Sequence, residues 1–412
     1  MQPWRRLTPR GRIVALGGLV LAAVSLWLGQ RDLFWLGAFG VALVLGSALM
    51  VSAPVRGLRH ERRIPAQSVP VGTPFTVTLE LHAEGRSRPR LLHFEEVVSS
   101  ALGPRPRFSL SGGVGAWGEE YSYPLTATRR GRHRVGPLLV RSLDPFGLAR
   151  HDMAFSTSSE VAVAPRVHEL GRLVGGAAGT SAEARTSRAG LVGQDDVLVR
   201  QYRRGDDVRR VHWRSTARTG DLMVRREEQA WQPATRLLLD NRRDAHAGDG
   251  PDNSFEWAVS ATASIGLALL SFGATLDLSD ADGVLDSHDN DRTVWAQRLL
   301  DAMTDEQLSW APDLMAMART EHGRRQEEAV AAVLGRLTDA DVALLLDLHT
   351  GSGSAVAILL DVGTFAGLPH DPATALRAQA LTDHGWTVAV ADAQTTVPAA
   401  WDQLRNAVEA AA

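Results

Sequence analysis

Two uncharged runs near the start of the chain constrain it most. Residues 13–29 read IVALGGLVLAAVSLWLG and residues 33–53 read LFWLGAFGVALVLGSALMVSA. A helix crosses bilayer hydrocarbon with roughly 20 apolar residues and a lower limit of about 17. Both runs satisfy this. Only Gln30-Arg31-Asp32 beside Gly29 joins them, so the two helices must be antiparallel neighbours. Their glycines and alanines permit close approach, and Trp4, Trp27 and Trp35 sit where amphipathic rings favour the interfaces. Residues 1–58 therefore read as a transmembrane helical hairpin. A cleaved signal peptide is the competing reading, but no small-x-small cleavage pattern follows and a second span begins at once. Arg5, Arg6, Arg10 and Arg12 precede the first run. Arg56, Arg59, Arg62 and Arg63 follow the second, and the short link carries Arg31 against Asp32. The positive-inside rule then predicts a multi-pass cell-membrane protein with both termini and the soluble domains in the cytoplasm.

The 412 residues are enough for two or three domains. With 44% hydrophobic residues and a net charge of −3, the chain can bury cores, and its charge points neither to nucleic acid nor to an acidic substrate. It has no cysteine, which excludes disulfides, thiolate metal sites and a cysteine nucleophile.

Residues 59–168 read as a small all-β (Ig-like) sandwich. Phe75, Val77, Leu79 and Leu81 alternate with polar residues over 75–82, the pattern of a half-buried strand. Tyr121 to Thr128 and Val135 to Val140 read as further strands, and Asp144-Pro145-Phe146-Gly147 as a tight turn. Residues 169–234 form a linker and a distinctive Arg-rich segment. Residues 235–412 alternate strand and helix. Strands are expected at 236–240, 274–278, 355–362 and 386–391. Helices are expected from Asn253, which with Glu256 makes a plausible capping box, and near 293–303, 324–337, 372–383 and beyond Ala399. Such alternation predicts an α/β domain with a mostly parallel sheet.

The Arg-rich segment carries Tyr202, Gly205, Asp206, Arg209, Val211, Trp213, Ala217 and Arg218, then Leu222, Val224 and Arg225. This pattern resembles the signature of the DUF58 family, as do Arg129-Arg130-Gly131-Arg132-His133 and Asp144-Pro145-Phe146-Gly147-Leu148. The resemblance implies a C-terminal domain similar to a von Willebrand factor A domain. It also implies partnership with a MoxR-type AAA+ ATPase and a transglutaminase-like membrane protein, hence a non-enzymatic membrane-anchored scaffold or adaptor in protein assembly or remodelling. No cofactor is expected. The residues themselves leave three readings of the segment open. Tyr202, Gly205, Asp206, Arg209, Trp213, Arg218 and Arg225 could lock domains together through Arg–Asp pairs. They could form a partner-docking surface, since Trp and Arg dominate interface hot spots. They could also bind phosphate or nucleic acid, though nearby acids offset the charge and no nucleic-acid-reading fold is visible.

An A domain usually holds a divalent cation with Asp-x-Ser-x-Ser after its first strand, because hard cations want several oxygen ligands. Here the stretch is Asp240-Asn241-Arg242-Arg243-Asp244. A guanidinium at the first serine position would repel the ion, or act as a tethered cation paired with Asp240. Asp280 and Asp361 end later strands and could belong to a former site. The expectation is a degenerate position without metal; a metal-dependent ligand-binding or adhesion module is the alternative. No Ser-His-Asp spacing, His-x-x-x-His, phosphate loop or dinucleotide fingerprint is present, and His60, His212 and His246 each stand alone in sequence. The chain is expected not to be an enzyme.

Overall fold

The computed structural model describes residues 6–52, 57–64, 68–83, 90–112, 116–172, 199–201, 216–218, 223–225, 234–286, 291–318, 329–348 and 354–411. The chain divides into two units, Met1–Ala164 and Pro165–Ala412.

In the first unit, Thr8 caps α1 (Pro9–Leu28), its hydroxyl accepting the Gly11 N–H at 3.1 Å, and Pro9 takes the first helical position. The helix stops at Gly29, whose φ of 69° suits glycine. The second helix, α2 (Arg31–Ser52), starts almost at once. Each is long and apolar enough to cross a membrane. Their large side chains point outward: Leu26, Trp27, Trp35 and Leu49 are all at least 70% exposed. Gly18 and Gly37 make the contact between them. A Cβ on Gly37 would lie 2.6 Å from the Gly18 carbonyl oxygen, so no larger residue fits there without separating the helices.

The β-rich region follows, with β1 (Leu58–Arg63), β2 (Ser68–Pro70), β3 (Pro74–Ala83), β4 (Arg90–Val98), β5 (Arg107–Gly112), β6 (Trp117–Thr126), β7 (Gly131–Leu143), β8 (Arg150–Phe155) and β9 (Ser159–Ala164). They form an antiparallel sheet β1-β3-β6 and a second sheet β2-β9-β7-β4-β5, with β8 also on β7. Phe75, Val77, Leu79 and Leu81 are all buried, as their alternation predicts. They share cores with Val135, Val161, Leu92 and Phe94 of the other sheet. A buried polar cluster interrupts this packing. The Arg62 guanidinium lies 2.6 Å from Glu96, with side-chain exposures of 3% and 0%. Arg62 also donates to Ser159, and the Tyr123 hydroxyl donates to Glu96 at 3.3 Å.

In the second unit, β10 (Val199–Gln201) pairs antiparallel with β11 (Met223–Arg225). A six-stranded sheet follows, built from β12 (Ala234–Leu239), β13 (Thr275–Asp280), β14 (Gly283–Asp286), β15 (Ala329–Leu334), β16 (Ala355–Leu360) and β17 (Trp386–Ala391). Its order is β14-β13-β12-β15-β16-β17, and every pairing is parallel except that of β14. The helices are α3 (Ser254–Ser271), α4 (Arg292–Asp305), α5 (Met315–Ala318), α6 (Asp339–Leu348), α7 (Val362–Phe365), α8 (Pro372–Asp383) and α9 (Val397–Ala411). Asn253 caps α3 by accepting the Glu256 N–H at 2.9 Å. Leu237 and Leu239 face Trp295 and Trp401 on one side of the sheet, while Leu238 faces Leu345 and Trp386 on the other. Both faces are covered, which explains the uninterrupted apolar runs of β15 and β16. Residues after the unit boundary pack on this unit: Ser260 Oγ donates to the Arg166 carbonyl and Trp401 Nε1–H to that of Gly171.

One sequence expectation is overturned. Residues 324–337 were expected to be helical, yet Ala329–Leu334 is strand β15, buried at all six positions and paired with β12 and β16. Alanine favours helix in isolation. This run has no polar stripe, however, and an apolar residue at every position suits a central strand flanked by two helical layers. The remainder of that expectation, up to residue 328, lies outside the described residues. The helix of this region is α6, which starts at Asp339.

Candidate functional site

In a doubly wound sheet, ligands sit beyond the carboxyl ends of the strands, where chain connections diverge to opposite sides. Here that point lies between β12, which leads to β13 on one side, and β15 on the other. Asp240 follows β12 and Gly335 follows β15.

The Arg242 guanidinium fills the space between them. Its Nε donates to Asp240 Oδ1 and its Nη2 to Oδ2, each at 2.9 Å, while Nη1 reaches both oxygens of Asp341 at 3.0 Å. The planar fork is used on two carboxylates at once. Backbone completes the cage: Asp240 also accepts the N–H groups of Arg242 and Gly335, and Asp341 accepts the N–H and hydroxyl of Thr338. Exposures are 0% for Asp240, 5% for Arg242 and 2% for Asp341. Burial disfavours the charged guanidinium, but the bonds and charge of Asp240, and then those of Asp341, outweigh it. The pKa of Arg242 is raised and the group stays cationic.

Of the three positions singled out in sequence, Asp240 and Arg242 meet, while Asp244 is exposed on a short turn beside them. Arg243 lies over the exposed Trp310 ring, 4.3 Å from its centroid. The other strand-end acids are committed elsewhere. Asp280 takes the N–H groups of Asp282 and Gly283, and shares the Asn241 amide with Glu306. Burial raises its pKa. Asp361 accepts from Asp371 N–H and pairs with the exposed His370 at 2.9 Å. Among the described residues no three His, Asp or Glu side chains converge on a metal-binding position.

Sequence spacing missed Asp341, Glu306 and a Ser–His contact. His246 Nε2–H donates to the Asp240 carbonyl at 2.6 Å, leaving Nδ1 to accept from the Ser254 hydroxyl at 3.0 Å. Ser254 is fully buried, and the imidazole leans on a carbonyl rather than a carboxylate. The pair clamps the loop after β12 onto the start of α3; it does not present a nucleophile.

Tyr202, Gly205, Asp206, Arg209 and Trp213 lie outside the described residues. Arg218 is exposed at the end of a helical turn over 216–218, and Arg225 closes β11.

The family model described as "Protein of unknown function DUF58" matches residues 198–404, from β10 into α9. The chain belongs to the DUF58 family. The matched region contains both the Arg-rich segment and the Asp240–Arg242–Asp341 cluster of this DUF58 protein. A search of curated proteins finds no match. Among solved structures, one similarity is to the complex of zinc 2-glycoprotein with prolactin inducible protein from human seminal plasma, at 11% identity. It covers 27% of this chain and 99% of that one, with a TM-score of 0.21. Another is to the alkylpurine DNA glycosylase AlkC of Pseudomonas fluorescens, at 14% identity, 35% and 43% coverage and a TM-score of 0.20. Likenesses this weak carry no argument about this DUF58 chain.

The His246 clamp has a pH signature. Burial is the main reason its pKa is lowered. Below the ordinary histidine value of about 6.5 the unfolded chain takes up a proton that the native imidazole resists. Its contribution is therefore complete above that value and is lost as pH falls through the folded pKa. Urea midpoints between about pH 7 and pH 5 should fall more steeply in the native protein than in His246→Asn. Identical slopes would remove His246 as the source.

Proposed function

We propose that this DUF58 protein is a non-enzymatic, membrane-anchored scaffold. The N-terminal hairpin spans the bilayer with both ends in the cytoplasm, the β-rich region is an Ig-like sandwich, and the C-terminal α/β region is a von Willebrand factor A-like domain. The sheet order, with its single antiparallel edge strand, supports the last assignment. The observation that carries the reading is Arg242 bound between Asp240 and Asp341. Where this fold would take a cation or a ligand, the chain places its own charged side chain and closes the position with backbone donors. A domain sealed in this way works through its outer surfaces. By family resemblance those surfaces take a MoxR-type AAA+ ATPase and a transglutaminase-like membrane protein, with no nucleic acid partner. The Arg-rich segment around Arg209 and Trp213 is the candidate docking or interdomain element.

Two measurements on the full chain test this. Crosslinking and affinity recovery from native membranes should return an AAA+ ATPase. The melting temperature should be the same with Mg²⁺ as with chelator. A ligand that binds the native state alone, present at a hundredfold excess over its Kd, adds about 2.7 kcal/mol, so binding would be plain. A Mg²⁺-dependent shift that disappears in Asp240→Ala would favour the metal-dependent ligand-binding module instead.

A further inference from the structure

In the first unit a cleft of about 490 Å³ opens between the start of α1, the end of α2 and the turn after β7. Its wall is mixed. Met50, Val51, Leu91 and Phe146 supply apolar surface, and Arg10 supplies a positive charge. Phe146 is 61% exposed and Leu91 45%, large apolar groups left open beside a cation. Arg10 has no hydrogen-bond or ion-pair partner among the described residues. The acid that lines the cleft is committed: Asp144 is buried and accepts the Ala149 N–H with one oxygen and the Phe146 N–H with the other.

The cleft is built rather than incidental. Thr8 N–H donates to the Leu148 carbonyl at 3.0 Å and the Thr8 hydroxyl to the Gly147 carbonyl at 2.7 Å. Gly11 packs directly on the Leu148 carbonyl, where any Cβ would collide. The turn that carries Phe146 is thus clamped to the first turn of α1. At 1.5 Å per residue, the 20 residues of α1 span roughly 30 Å, the thickness of bilayer hydrocarbon. If the helix spans, Arg10 lies level with the headgroups, and Arg31, which opens α2, lies at the opposite surface.

We propose that this cleft binds the headgroup of an anionic glycerophospholipid, its phosphate on Arg10 and its glycerol and upper acyl carbons against Met50, Leu91 and Phe146. The proposal rests on the membrane-spanning reading of the hairpin. A free phosphate would leave the apolar wall unused, and a zwitterionic lipid would offset with its own ammonium the charge that Arg10 offers.

The test uses the full chain in mild detergent with equimolar phosphatidylglycerol and phosphatidylcholine, read by native mass spectrometry. Phosphatidylglycerol adducts should dominate. Arg10→Gln should reduce them about fivefold, the factor corresponding to roughly 1 kcal/mol per arginine at an anionic surface, while Arg31→Gln leaves them unchanged. Phe146→Ser should lower them independently. Equal adducts of the two lipids, or equal effects of Arg10→Gln and Arg31→Gln, would overturn the proposal. So would displacement of phosphatidylglycerol by glycerol phosphate, which would mark a small-anion site. Carbonate extraction separates the two levels. Release from membranes removes the spanning reading and the lipid cleft with it; retention without lipid preference removes the cleft alone.

Discussion

Arg242→Ala should destabilise the second unit by about 3–5 kcal/mol, the cost of leaving a buried charge without its partner. The substitution strands Asp240 and Asp341, which are 0% and 2% exposed and would then face one another with only backbone donors and Thr338 between them. The loss reflects the uncompensated acids rather than the net value of the bridge. Adding Asp240→Asn and Asp341→Asn to Arg242→Met should therefore recover most of it, because neutral amides keep hydrogen bonds without charge repulsion. Hydrogen exchange read on peptides from β12, β15 and α6 would locate the effect. Unchanged exchange in Arg242→Ala would show that the guanidinium is not what holds this position together.

A loss of similar size, about 3–5 kcal/mol, should follow Arg62→Ala in the first unit. Glu96 is completely buried. Burial raises its pKa, while the charge and bond of Arg62 are the main influences holding it down. Without Arg62 the carboxylate is left with the Tyr123 hydroxyl at 3.3 Å and should take up a proton at higher pH. A native carboxyl with a raised pKa binds protons that the unfolded chain does not. Stability in this variant should therefore be greatest below the ordinary glutamate value and fall as pH rises through the folded pKa. Arg62→Met with Glu96→Leu should restore stability, because well-packed apolar replacements of a buried pair are often neutral or better. Urea midpoints of the single and double variants at two pH values decide it. A single variant that melts like the native chain would show that water reaches Glu96.

Arg62 stands among the arginines that follow the second apolar run, which the positive-inside rule counts as flanking charge, yet it is a core residue. Its neighbour Arg63 is exposed but pairs with Glu80 at 2.8 Å. A flanking arginine and a buried one look alike in sequence, because the difference lies in a partner on another strand.

Local physics was legible throughout. The length and apolarity of α1 and α2, the alternation along β3, the Asn253 cap of α3 and the Asp144–Gly147 turn each depend on residues within a few positions of one another. The chance that Arg242 would pair with Asp240 could be seen for the same reason: they are two residues apart. Asp341 is separated from Arg242 by 99 positions, and nothing local marks it as the second acid. Its place depends on β15, a strand whose three alanines favour helix on intrinsic propensity, lying beside β12. Helix propensity is a property of a residue and its near neighbours, whereas a central strand is stabilised by the two strands and two helical layers that enclose it. The elements were therefore largely determined by sequence. Tertiary structure alone decided that Asp341 closes on Arg242 as the second acid, because that depends on contacts between chain segments far apart in sequence.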